Sequence, residues 1–194
     1  KNELLDFPGI SEASITNHLP GEKFTQDFFR SEGQHVDVAL NYFSVDYDFL
    51  TTMEMKLVSG RNFSRDFGSD QTAIILNEAA VKQFDLSNPT ASFLTTGGEG
   101  HKYNVIGVVK DFNYESLRKE IRPCALILSD KGEFLALRMN TESLKKNLEI
   151  IQEKWSSYGS NVPFEYFFLD SSFDKLFHFE QRIGKIITGF SILT

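Results

Sequence analysis

Apolar and polar positions alternate over short stretches of this chain and change to a three-to-four spacing in a few others, a mixture that predicts an α+β domain. Ile10-Ser11-Glu12-Ala13-Ser14-Ile15-Thr16 reads as a strand, and Val36, Val38 and Leu40 against Asp37, Ala39 and Asn41 mark another over residues 35–45. A short helix follows over 46–53, with Tyr47, Leu50 and Met53 on one side. Strands are predicted at 72–76, 92–95, 103–110, 124–128, 134–139 and 164–169. Asn77 is placed to cap a helix over 78–84, with Glu78 near its positive end. The clearest helix runs over 142–158: Thr141 is its expected cap, Leu144, Leu148, Ile151 and Trp155 form its stripe, and Gly159 ends it. A last helix is expected from Ser171, with Phe173, Leu176 and Phe177 on its apolar face.

Both ends of the sequence read as cut. Lys1 to Phe7 looks like the middle of a helix ended by Pro8-Gly9, with neither Met nor a signal peptide before it. Residues 183–194 are mostly apolar but number fewer than the roughly 20 a bilayer requires. They read either as a buried terminal helix or as the first turns of a truncated transmembrane helix.

Composition narrows the function. The 194 residues carry a net charge of −7, so no basic surplus is present to neutralise nucleic-acid phosphates. Nineteen Phe against six Tyr and one Trp favour packing over polar recognition. The single cysteine, Cys124, lies in an apolar run and reads as a buried hydrophobe. Gly97-Gly98-Glu99-Gly100-His101-Lys102 lacks the spacing of a phosphate loop and precedes a strand, so a hairpin loop is expected there. His18, His35, His101 and His178 form no ligand pair, and Asp46 with Asp48, or Asp66 with Asp70, suit turns and caps better than calcium. Asn62-Phe63-Ser64 matches a glycosylation acceptor only as a short pattern. With no nucleophile motif either, the expectation is a non-catalytic domain with no cofactor and no metal.

Five segments in order carry a resemblance. Val45-Asp46-Tyr47-Asp48-Phe49 is followed by Leu57-Val58-Ser59-Gly60-Arg61-Asn62-Phe63, then by Ile74-Ile75-Leu76-Asn77-Glu78-Ala79-Ala80. Val105-Ile106-Gly107-Val108-Val109-Lys110-Asp111-Phe112 runs on to Ser116-Leu117 with Pro123 beyond, and Phe167-Phe168-Leu169-Asp170 leads to Phe173, Glu180 and Arg182. Together they resemble the periplasmic core domain of the MacB/FtsX-like ABC-transporter permeases, of the large two-unit type found in Gram-negative bacteria. The stretch 16–33 is poorly matched.

The resemblance implies two lobes: a discontinuous, porter-like mixed α/β lobe from 1–57 and 123–182, and a smaller strand-rich lobe inserted at 58–122, with 183–194 starting a transmembrane helix. It implies a domain on the periplasmic side of the inner membrane, flanked by membrane helices. A cytoplasmic ATPase, a second permease copy or unit, and periplasmic or outer-membrane proteins would be its partners. Its role would be to couple ATP-driven helix motion to export of a peptide, lipoprotein or hydrophobic small molecule. The motif positions Gly60, Arg61, Phe63, Asn77, Glu78, Gly107, Asp111, Phe112, Pro123 and Asp170 are expected to be structural. The rival reading is an extracytoplasmic ligand-sensing domain of a membrane receptor. Several further apolar helices in the full-length gene and an ATPase encoded nearby would favour the permease; one flanking helix and a receptor output module would favour the sensor.

Overall fold

A computed structural model describes residues 1–19, 24–97, 100–114, 120–159 and 162–169. Nine strands join in one sheet: β1 (Ile10–Thr16), β2 (Thr25–Ser31), β3 (Val38–Val45), β4 (Leu57–Gly60), β5 (Ala73–Asn77), β6 (Phe93–Thr96), β7 (Lys102–Val109), β8 (Cys124–Leu128) and β9 (Phe134–Met139). Among the described residues four α-helices accompany them: α1 (Asn2–Leu5), α2 (Phe49–Thr52), α3 (Glu78–Gln83) and α4 (Leu144–Ser157). The domain is α+β, as its pattern predicts.

The strand path β2-β6-β7-β5-β8-β3 closes on itself, because β2 also pairs with β3. Its interior shows in the packing. Phe29, Leu94, Val105, Ile74, Leu76, Ala125 and Leu40, drawn from all six strands, meet in one cluster with Ala80 and Phe84 from the α3 region. The alternating residues on β3, β5 and β8 face the other way. Phe43, Val45, Ala73, Ile75, Cys124, Leu126 and Leu128 form the outer layer with Phe49 and Leu50 of α2, and with Phe63 and Tyr114 from loops. Side chains that alternate along a strand must serve two layers at once, which is why β5 is buried along its whole length.

Beyond β3 the sheet runs to β1 and then to β9, which pairs antiparallel with β1. A third cluster, Leu4, Ile10 and Ile151 with Phe7, Leu137, Met139 and Phe164 against it, holds α1 and α4 on this end. The sheet passes through 1–57, 58–122 and 123–139 without a break, since β8 lies hydrogen-bonded between β3 and β5.

Several expectations change in detail. β2 is absent from the sequence reading, because Thr25-Gln26-Asp27-Phe28-Phe29-Arg30-Ser31 has no clean alternation and buries only Phe29 and Ser31. β4 also has no apolar face, all four of its residues being exposed. The Thr141 cap is replaced by Asn140, whose side chain accepts from Glu142 N at 2.9 Å and opens a 3-10 turn before α4. The α4 stripe is rotated. Ile151 and Asn147 are its buried residues, Leu148 is half-buried, and Trp155 is exposed. The cause is Gly9, where a Cβ would lie 2.2 Å from the Asn147 side chain; that contact and the bond from Asn147 Nδ2 to Gly9 O (3.2 Å) turn Asn147 inward. Residues 163–168 belong to no ladder. The helix expected from Ser171 and the run 183–194 lie outside the described residues.

The rotation sets a stability order. Ile151→Ala is expected to destabilise the domain by about 2–4 kcal/mol and Leu148→Ala by about half as much, because only Ile151 is buried. Urea denaturation of the two variants checks this, and a larger loss from Leu148→Ala would refute the observed helix face.

Candidate functional site

The motif residues converge where β5 and β7 end and β8 begins. Asn77 is the last residue of β5, in extended backbone, and the next residue starts α3. Its Oδ1 accepts from Ala80 N (2.9 Å), capping the helix, and from Cys124 N (2.9 Å), the first amide of β8. Its Nδ2 donates to Arg122 O at 3.0 Å. One fully buried carboxamide thus joins a strand, a helix start and the entry to another strand.

A reciprocal pair lies beside it. Ala79 N donates to Asp111 Oδ1 at 2.9 Å, and Asp111 N donates to Glu78 Oε2 at 3.0 Å. Each carboxylate stabilises the other segment's backbone, and both sit by the positive end of α3. Phe112 packs against Phe43 and Tyr114, with ring centroids 6.1 and 5.5 Å away. The buried Tyr114 hydroxyl lies 3.1 Å from Arg122 O and 3.3 Å from Pro123 O, and accepts from Asn41 Nδ2 at 3.3 Å. Sequence reasoning did not single out Tyr114. Its only signal is a tyrosine two residues after Phe112 in a loop.

Gly60 and Gly107 allow β4 to lie against β7. Gly60 has φ +74°, and a Cβ there would sit 2.2 Å from Ile106 O; one on Gly107 would sit 2.4 Å from Arg61 O. Only glycine fits both positions. Next to them the Arg61 guanidinium makes a two-pronged pair with Asp70, at 2.7 and 2.6 Å, and stacks 4.1 Å from the Phe67 ring centroid. Ser64 N also donates to Asp70 (2.9 Å). These bonds cinch the loop from Arg61 to Asp70 so that Phe63 turns into the core, where it is buried. Arg61 holds the Asp70 carboxyl below the usual carboxylate range, with Ser64 N assisting and burial opposing.

A second ionic cluster was not anticipated. Lys1 bridges Asp46 and Asp48; Ser14 Oγ donates to Asp46 (2.6 Å), and Arg65 pairs with Asp48 (3.0 Å). Arg65 and then Lys1 keep the Asp48 carboxyl low. Glu3 on α1 pairs with Lys154 on α4 at 2.5 Å. The four residues from Lys1 to Leu4 are therefore tied to β1, to the turn that follows β3 and to α4 together. No sequence spacing links Lys1 to positions more than 40 residues away, so periodicity could not find this cluster.

Of the ten motif positions, the structure joins Asn77, Glu78, Asp111, Phe112 and Pro123 in one junction and Gly60, Arg61, Phe63 and Gly107 in the adjoining one. Asp170 lies outside the described residues. Burial pushes the Cys124 thiol well up, which suits its place in the core. Among the described residues, no three His, Cys, Asp or Glu side chains stand close enough to share a metal ion, and no helix is long and apolar enough to cross a membrane. These bonds join strands and loops to one another.

Because Asp70 is depressed only in the folded state, its stabilisation is present above the ordinary Asp value of about 4 and is lost as pH falls through the lowered one. Asp70→Asn should destabilise the domain by about 2–3 kcal/mol at pH 7. The gap to the parent should narrow as pH falls below about 4 in urea titrations. A gap independent of pH would show that Arg61 does not hold the carboxylate.

No protein-family model matches the sequence, and comparison with curated proteins finds no match. Comparison with solved structures does. The periplasmic region of MacB from Actinobacillus actinomycetemcomitans superposes with a TM-score of 0.57 at 16% identity, covering 79% of this chain and 71% of that one. The extracellular domain of the noncanonic ABC-type transporter YknZ from Gram-positive bacteria gives 0.57 at 14%, covering 80% and 81%. A domain described as part of a permease protein from Porphyromonas gingivalis gives 0.53 at 16%, covering 77% and 72%. This chain has the fold of these periplasmic and extracellular transporter domains.

Proposed function

We propose that this chain is the extracytoplasmic domain of an ABC-transporter permease, and that it couples ATP-driven motion of membrane helices to movement of cargo outside the membrane. The observation that carries the reading is the fold shared with the MacB and YknZ domains across about four-fifths of the chain. The ordered motifs point the same way. A mechanical role also suits what the motif residues do: Asn77, Asp111, Arg61 and their partners spend their polar groups on holding strands and loops together.

In this reading the chain carries no catalytic centre, and hydrolysis belongs to a cytoplasmic ATPase. Its cargo would be a peptide, a lipoprotein or a hydrophobic small molecule, and its place the periplasmic side of the inner membrane. A second permease copy or unit and periplasmic or outer-membrane proteins would complete the assembly. The division into a lobe of 1–57 with 123–182 and an inserted lobe of 58–122 belongs to the same reading. The inserted segment supplies β4, β5, β6 and β7 to a sheet that the other segment completes. With strands of both segments interleaved, displacement entering through one is passed to the other.

Residues 173–194 contain no proline, and isolated glycines weaken a helix by only about 1 kcal/mol each, so the sequence there favours a stiff connection to the membrane. A short Gly-Ser insertion after Arg182 of the full-length permease should sharply reduce transport while ATP hydrolysis by the intact complex persists. Unchanged transport would overturn the coupling role and leave a passive cap or a sensor.

A further inference from the structure

The chain after β9 follows the order of a strand–helix–strand crossover, but the second strand is not in the sheet. α4 supplies 14 residues between β9 and residues 163–168, enough to return the chain for a parallel strand. Phe164, Tyr166 and Phe168 stack in sequence, with centroids 5.7 Å apart at each step, the spacing of alternate residues along one face of an extended chain. Among the described residues, no hydrogen bond engages the backbone of residues 164–167. Pro163 stands first, the position in a strand that tolerates it best.

A receptor for such a strand lies close by. β9 pairs with β1 alone among the described residues, so its other edge is open. The orientation of that edge follows from β1. Ile15 O accepts from Asp46 N, so Ile15 turns its backbone away from β9, and its neighbour Ser14 turns toward it. Ser14 stands opposite Ala136. Ala136 therefore faces β1, whereas the amides of Leu135 and Leu137 point to the open edge. An open apolar edge is a pairing hazard that proteins normally cover. Phe164 already packs in the cluster that holds Leu137 and Met139, and contacts Trp155 of α4 at 6.5 Å. Its face thus matches the helix-covered face of β9.

We propose that residues 163–168 are a docking strand that alternates between the detached position seen here and parallel pairing with the open edge of β9. The pairing itself stands on this geometry alone. Its consequence rests on the permease reading: the strand is the last part of the described domain before the segment expected to enter the membrane, so docking would fasten that exit to the sheet and undocking would release it.

Amide hydrogen exchange, followed by NMR in the 194-residue chain, tests the pairing without transport. Glu165→Pro and Tyr166→Pro are compared with the parent, because alternate amides of a strand point to its partner and only one of the two can be a ladder donor. Leu135 and Leu137 should exchange at least about tenfold faster in the variant that loses the ladder amide than in the parent. The Ala136 amide, held by β1, should keep its rate and report an intact sheet. Equal rates at Leu135 and Leu137 in all three proteins would overturn the docking strand while leaving the permease reading untouched. A failed linker experiment in the full-length permease would do the reverse.

Discussion

The arrangement of this domain depends on a single buried carboxamide. Asn77 ends β5, caps α3 and receives the first amide of β8, so three chain segments share one side chain. A buried amide left without its partners is expensive, and this one has partners at both polar atoms. The six-strand circuit depends on the same contact. β8 sits between β5 and β3, and the start of β8 is fixed by Asn77. Asp111 then ties the end of β7 to the first turn of α3, and the glycine pair lets β4 lie against β7.

Interlocking of this kind gives each motif position a structural task. Positions such as Gly60 and Gly107 are dictated by close backbone approach, and Arg61 by the buried carboxylate it must neutralise. Arg61 spends both terminal nitrogens on Asp70 and the backbone of its own loop. The second ionic cluster, around Lys1, Asp46 and Asp48, does for the chain's entry what the Asn77 junction does for the sheet. The first four residues thereby meet β1, the turn after β3 and α4 at once.

Much of this was legible in the sequence, for identifiable reasons. β1, β5, β7 and β8 bury alternating or continuous apolar faces, and Asn77 stands where a strand pattern gives way to a helix pattern. β2 and β4 were not legible, because their place is set by pairing and not by burial; β4 is exposed at every residue. The α4 face was misjudged because Asn147, a polar residue, is drawn in by Gly9, a contact spanning 138 positions. The strand expected at 164–169 shows the opposite failure, since the alternation is real but no ladder receives it. Tyr114 and Lys1 act through partners distant in sequence, and periodicity carries no information about either.

If the domain transmits membrane motion as proposed, the motif junction must be a rigid lock. Hydrogen exchange at the three amides that define it, Ala79, Ala80 and Cys124, tests this most directly. If the junction is a lock, these amides open only when the domain unfolds, and their exchange free energies equal the global value from urea denaturation. Exchange through a local opening well below that value would contradict the claim and make the junction a hinge.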